Sequence, residues 1–128
     1  MNGIRLLTLT VATFLICPAK AAAPARVTVD DLLGEWSAEG SGLEEVYSCD
    51  APVHIGVKTD AGLAVVIAAP DWTSTLQKRD GKDGKAELYD SATGETRITV
   101  ERYIEETFLF SFSGGRFDGK SLVMAPCY

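Results

Sequence analysis

Between Phe108 and Phe112 three aromatic side chains fall on alternate positions, with Leu109 and Ser111 between them. A period of two belongs to an extended strand with one buried face, because a helix would scatter these rings around its circumference. The same alternation recurs in Val53, Ile55 and Val57, in Trp72, Ser74 and Leu76, and in Ile98 and Val100 within the stretch Arg97 to Arg102. Leu63 to Ala68 is a continuous apolar run that Asp60-Ala61-Gly62 joins to the first of these as a hairpin. Lys85 to Tyr89 and Ser121 to Ala125 supply further strands, and Trp36 opens the first of the series. Between them lie residues suited to tight turns: the doubled Asp/Gly punctuation from Arg79 to Gly84, Ser91 to Gly94, and the glycines at 114, 115 and 119. Before the strands, Thr28 to Gly34 reads as one helical turn, with Thr28 as cap, Asp30 and Asp31 at the positive end and Gly34 as a left-handed stop. The pattern predicts an all-β fold, a small antiparallel up-and-down barrel of about eight strands after a short N-terminal helical turn. Closing the sheet removes its edges, and a flattened sandwich is the alternative. No repeat, low-complexity tract or interdomain linker breaks the series.

The first residues are of another kind. Arg5, the apolar run Leu6 to Ile16 and the small residues at Ala19 and Ala21 form a secretory signal, residues 1–21, with Ala25 as a second cleavage point. The run is shorter than the roughly 20 residues a bilayer span needs, so no membrane insertion is expected after cleavage. Residues 22–128 then form a single domain in the periplasm or outside the cell. Cys17 leaves with the signal, and large residues before it argue against lipidation there. Cys49 and Cys127 remain, and an oxidising compartment predicts a disulfide between them. Their wide separation lacks the Cys-x-x-Cys spacing of redox sites.

Processing also removes Arg5 and Lys20, leaving 12 less 2 basic side chains against 18 acidic ones, a balance of about −8. Such a surface repels nucleic acid and anionic lipid. Catalytic equipment is missing from the pattern. His54 is the sole histidine and projects from the face opposite Val53 and Ile55. One histidine and two paired cysteines are too few for a zinc site, and no Gly-x-Ser-x-Gly elbow supports a serine nucleophile. The carboxylate pairs Asp30-Asp31, Glu44-Glu45 and Glu105-Glu106 read as solvated charges, since adjacent strand residues face opposite ways. Asp80 and Asp83 alone are too sparse for calcium, and the glycines precede no helix that could cradle phosphate. No cofactor, no metal and no enzymatic activity are expected.

Leu32-Leu33-Gly34-Glu35-Trp36, placed after a helical turn, resembles the Gly-x-Trp start of calycin-type barrels. In that group the tryptophan closes one barrel end, a role the resemblance assigns to Trp36, with Arg97, Arg102 or Arg116 stacked on its ring by cation–π contact. The export signal, the size and Cys49 soon after this motif are similar to the secreted inhibitors of bacterial metalloproteases. There the free N-terminal segment enters the protease cleft, which implies a role for residues 22–27 including Arg26. The second cysteine departs from that family's pattern, since Cys127 is near the end of the chain. Tyr47-Ser48-Cys49, a near-terminal cysteine and Ser113-Gly114-Gly115-Arg116-Phe117 resemble the periplasmic inhibitors of lysozyme, with Phe117 where that family has tyrosine.

These residues lead to the expectation of an exported, monomeric, non-catalytic binding module, an inhibitor of a secreted protease or lysozyme, with an exported protein as partner. Arg116, Phe117, Asp118 and Arg26 are the candidate partner contacts. The alternatives are a carrier of a small apolar ligand, with Phe108, Phe110 and Phe112 lining its cavity, and an envelope accessory protein without ligand.

Overall fold

A computed structural model describes residues 25–38, 47–60 and 62–128. The expected signal at 1–21, the segment 22–24 and the pair Glu44-Glu45 lie outside the described residues. Helix α1 (Val29–Leu32) is followed by β1 (Gly34–Ser37), β2 (Val53–Lys58), β3 (Ala64–Ala69), β4 (Trp72–Asp80), β5 (Ala86–Tyr89), β6 (Thr96–Arg102), β7 (Phe108–Phe112) and β8 (Ser121–Pro126). Each strand pairs antiparallel with the next and β1 pairs with β8, so the sheet closes as an up-and-down barrel in the predicted order.

The alternation in the sequence sets which side chains enter the barrel. Val65 and Ile67 of β3, Leu88 of β5, Val100 of β6, Phe110 of β7 and Met124 of β8 are all at most 2% exposed. Val57 is an exception at 43% exposed. The β1–β2 ladder stops at the pair Gly34↔Ile55, so Val57 has β3 on one side and no strand on the other.

One end of the barrel is closed. Thr28 Oγ1 accepts from the Asp31 N–H while the Asp31 carboxylate accepts from the Thr28 N–H, a capping box that starts α1. Leu33 ends the helix in an extended conformation, so Gly34 is not its left-handed stop; at φ +129° it instead gives the backbone the entry into β1 that glycine permits. The buried Trp36 indole donates to the Leu32 carbonyl at 2.9 Å, satisfying an end of the helix that has no other partner within it. Arg102 ties this end together, donating to Asp31 at 2.8 Å and to the Arg26 carbonyl at 3.3 Å. Its guanidinium stands 5.5 Å from the centre of Phe108, which in turn meets Trp36 edge-on at 5.6 Å. The arginine expected on Trp36 therefore packs one ring further along, because strand pairing sets Arg102 directly opposite Phe108. Arg97 and Arg116 lie at the other end.

Cys49 and Cys127 form the predicted disulfide, with Cα atoms 5.6 Å apart across a sequence separation of 78. The bond joins the chain just before β2 to the chain just after β8, and β1 lies between those strands. It therefore staples the seam where the barrel closes. Such a bond fits an oxidising environment.

Candidate functional site

The barrel interior is filled, whereas the end opposite α1 is open. Inside, Tyr47, Phe110 and Leu122 border a void of only ≈ 10 Å³, about the space of a single water. Phe108 and Phe110 are 5% and 2% exposed and belong to this packing. Of the two, Phe110 borders that small void. An eight-stranded barrel of this kind has an interior that its own side chains can occupy. Phe112 differs, being half-buried at the open end.

At that end the chain contributes Tyr47, the β3–β4 turn, the loop between β5 and β6, and the loop from Ser113 to Lys120. Tyr47 is 1% exposed, and its hydroxyl donates to Asp71 at 2.9 Å while accepting from the Trp72 indole at 3.0 Å. Arg116 donates to the other oxygen of Asp71. The result is a hydrogen-bonded relay, Trp72 to Tyr47 to Asp71, closed by the arginine. Beneath it, Phe117 meets Tyr47, Trp72 and Phe112 edge-on at 6.1, 6.2 and 5.3 Å.

Phe117 was expected on the partner-facing surface and is instead 9% exposed, the anchor that pins its loop to the barrel. The reason is apolar area: a short 3₁₀ turn, Gly115–Phe117, turns the ring under the loop while leaving Arg116 outside. Asp118 has a local structural role, accepting from the Gly114 N–H. Gly114 sits at φ +82°, a conformation that favours glycine, whereas a Cβ there would meet only the mobile tip of the Arg97 side chain at 2.8 Å. Arg116 remains half-exposed, with its guanidinium 5.3 Å from the Phe117 centroid. Arg26 lies at the closed end, exposed and paired with Asp80 at 2.8 Å. The four candidate contacts thus separate into one exposed arginine at each end, one buried anchor and one loop brace.

Tyr47, Asp71 and Trp72 were not singled out from the sequence as site residues. The signals were present: Tyr47 stands two positions before Cys49, and Pro70-Asp71 reads as a turn that puts Asp71 at a barrel end.

A cleft of ≈ 460 Å³ opens beside this cluster. One wall is the first half of β4, the other is Arg97 and the loop Ser113 to Phe117, and Ile98 and Phe112 form an apolar floor. Its volume is in the range of small-ligand and peptide sites. Arg97 reaches Glu95 at 3.5 Å and Asp90 at 4.0 Å, both long ion pairs, and its side chain is 39% exposed.

The electrostatics of the two ends give a testable pH dependence. Desolvation pushes the Asp71 carboxyl upward, but the hydrogen bonds from Tyr47 and Arg116 and the arginine's charge outweigh it and hold the group below the usual carboxylate value. Asp31 behaves likewise, its burial outweighed by the Thr28 hydrogen bonds and by Arg102. Hydrogen bonds from Lys78 lower Asp80, and those from Arg79 and Thr96 lower Glu87. A carboxylate depressed in the folded state contributes stability above its unfolded pKa and loses it as pH falls through the folded value. Burial, and then the hydrogen bond to Asp71, raise Tyr47, which contributes in the opposite sense and loses its contribution at strongly alkaline pH. Stability is therefore expected to be flat near neutrality and to fall below about pH 4. Urea midpoints measured across that range check this; a midpoint that rises on acidification contradicts it.

No family model matches the chain, and neither a curated protein nor a solved structure matches it.

Proposed function

We propose that the protein is an exported, non-catalytic binding module that engages an exported protein through the open end of its barrel, with a secreted protease or lysozyme as the partner class. The observation that carries this reading is the contrast between a void of ≈ 10 Å³ among the core side chains and a surface cleft of ≈ 460 Å³ beside the exposed Arg116. A carrier needs the first space to be large. A surface binder needs the second.

The closed end supports the choice of the open one. The Val27 N–H donates to the Gly84 carbonyl at 2.9 Å and the Val27 side chain is 1% exposed. From Arg26 onward the chain is therefore held against the barrel at this end.

Arg116 is the residue to test, because arginine at the centre of an interface commonly contributes about 2 kcal/mol or more. Its ion pair with Asp71 is solvent-exposed, and such pairs add little to the fold. Against a panel of exported proteases and lysozymes, Arg116→Ala is expected to weaken complex formation at least about tenfold, with the melting temperature nearly unchanged. Equal affinity of the variant and the original protein for a partner would remove this end from the interface.

A further inference from the structure

The cleft owes its shape to unequal strands. β4 has nine residues and β5 only four, and their ladder begins at the pair Gln77↔Tyr89. The first half of β4, Trp72 to Leu76, is paired with β3 on one side. On the other side it faces the cleft, and among the described residues no backbone group hydrogen-bonds to it from there. Five consecutive residues thus present a free sheet edge roughly 16 Å long, at about 3.3 Å per residue.

Exposed edges are normally blunted by lysine, proline, inward charge or a bulge. Trp72-Thr73-Ser74-Thr75-Leu76 has none of these and is rich in residues that favour strands. The nearest bulge lies in the β5–β6 pairing at Leu88/Tyr89, outside this segment. The edge is instead recessed between the loop Ser113 to Phe117 and the side carrying Arg97. Ile98 and Phe112 below would accept an apolar side chain from an extended chain. The charged lining consists of Arg97, Arg116 and Asp90, two positive groups against one negative, in a protein whose formal net charge is −6. Arg116 is already engaged by Asp71, whereas the ion pairs of Arg97 are long, so Arg97 is the more available donor.

Building on the binding-module reading, we propose that an extended segment of the partner adds to the free edge of β4 as a strand, with an apolar side chain on Ile98 and Phe112 and an acidic side chain at Arg97. Main-chain hydrogen bonds then supply attachment, and alternate side chains supply selection. The acid matters because a charge-assisted hydrogen bond to guanidinium is about twice as strong as a neutral one.

The test uses the disulfide-bonded protein and short capped peptides of alternating valine and threonine, with glutamate, glutamine or lysine at the centre. Amide hydrogen exchange is followed residue by residue by NMR. In a strand every second N–H points to the same neighbour, so the glutamate peptide should slow exchange of alternate amides between Trp72 and Leu76 about tenfold or more. It should also bind about tenfold more tightly than the lysine peptide, and Arg97→Gln should erase that preference. Binding with shifts at Ser113 to Phe117 but no protection along β4 would overturn strand addition and leave the open end as a binding surface. Equal affinity for glutamate and lysine would overturn the assigned role of Arg97. Failure of all three peptides to bind would overturn the proposal, whereas an Arg116-dependent complex with a hydrolase would still stand as evidence for the binding module.

Discussion

Cys127→Ala is expected to lower the melting temperature of the protein by on the order of 15 °C, from a loss of about 3 kcal/mol. The size of the effect follows from where the bond lies. β1 is four residues long and its ladder with β8 consists of two register pairs, Trp36↔Pro126 and Ser37↔Ala125, extended by the Cys127 N–H donating to the Glu35 carbonyl at 2.9 Å. Among the described residues, that short ladder joins the first and last strands of the barrel. Without the disulfide, the loop it spans of 78 positions is free in the unfolded chain, and the chain-entropy model assigns up to about 4.5 kcal/mol to that freedom. Cys49→Ala should match Cys127→Ala, and the double substitution should add little, because either single change breaks the same bond. Thermal unfolding of the three variants, oxidised and reduced, checks the account. An unchanged melting temperature in any of them would contradict the stapled seam.

Phe110→Ala should destabilise the protein by about 4 kcal/mol, within the range for deleting a buried aromatic ring. Phe110 is 2% exposed and pairs directly with Val100 on one side and Leu122 on the other, in the middle of β7. Its removal leaves a hole that closed-barrel geometry cannot collapse. Phe112→Ala should lose less, because Phe112 is half-buried at the cleft and its lost area is partly solvent-facing already. Urea denaturation gives both values. Should Phe110→Ala lose less than about 1 kcal/mol, the interior would not be tightly filled and the case against a carrier would weaken.

Most of the fold was legible because it rests on the local requirement that one face of each strand be buried. Phe108, Phe110 and Phe112 mark β7 as clearly as three residues can, and the Asp/Gly clusters end the strands where turns occur. The up-and-down order follows from short turns, which leave no length for a crossover. Val57 departed from the alternation because the β1–β2 ladder ends before reaching it, and strand ends depend on the neighbour as well as on the strand itself.

The site was less legible, since its contacts join distant parts of the chain. Tyr47 meets Asp71 across 24 positions and Arg116 meets Asp71 across 45, and no local period encodes either. Phe117 is followed by Asp-Gly and preceded by Gly-Gly-Arg, a setting that reads as exposed loop, yet three aromatic neighbours from other segments bury it. The placement of Arg102 over Phe108 needed the β6–β7 register, which the sequence did not specify to the residue. The cleft itself arises from a difference in length between β4 and β5. The turn at Ser91 to Gly94 was visible, but the unpaired edge it leaves opposite Trp72 to Leu76 is a property of three strands together.

The most direct test of binding through the open end is native mass spectrometry of the protein recovered without refolding from the cells that make it, with the Arg116→Ala variant run beside it. The account predicts a protein-sized adduct on the original chain that is lost or much reduced on the variant. A retained small molecule, or a protein adduct of equal abundance on both, would contradict binding through the open end of the barrel.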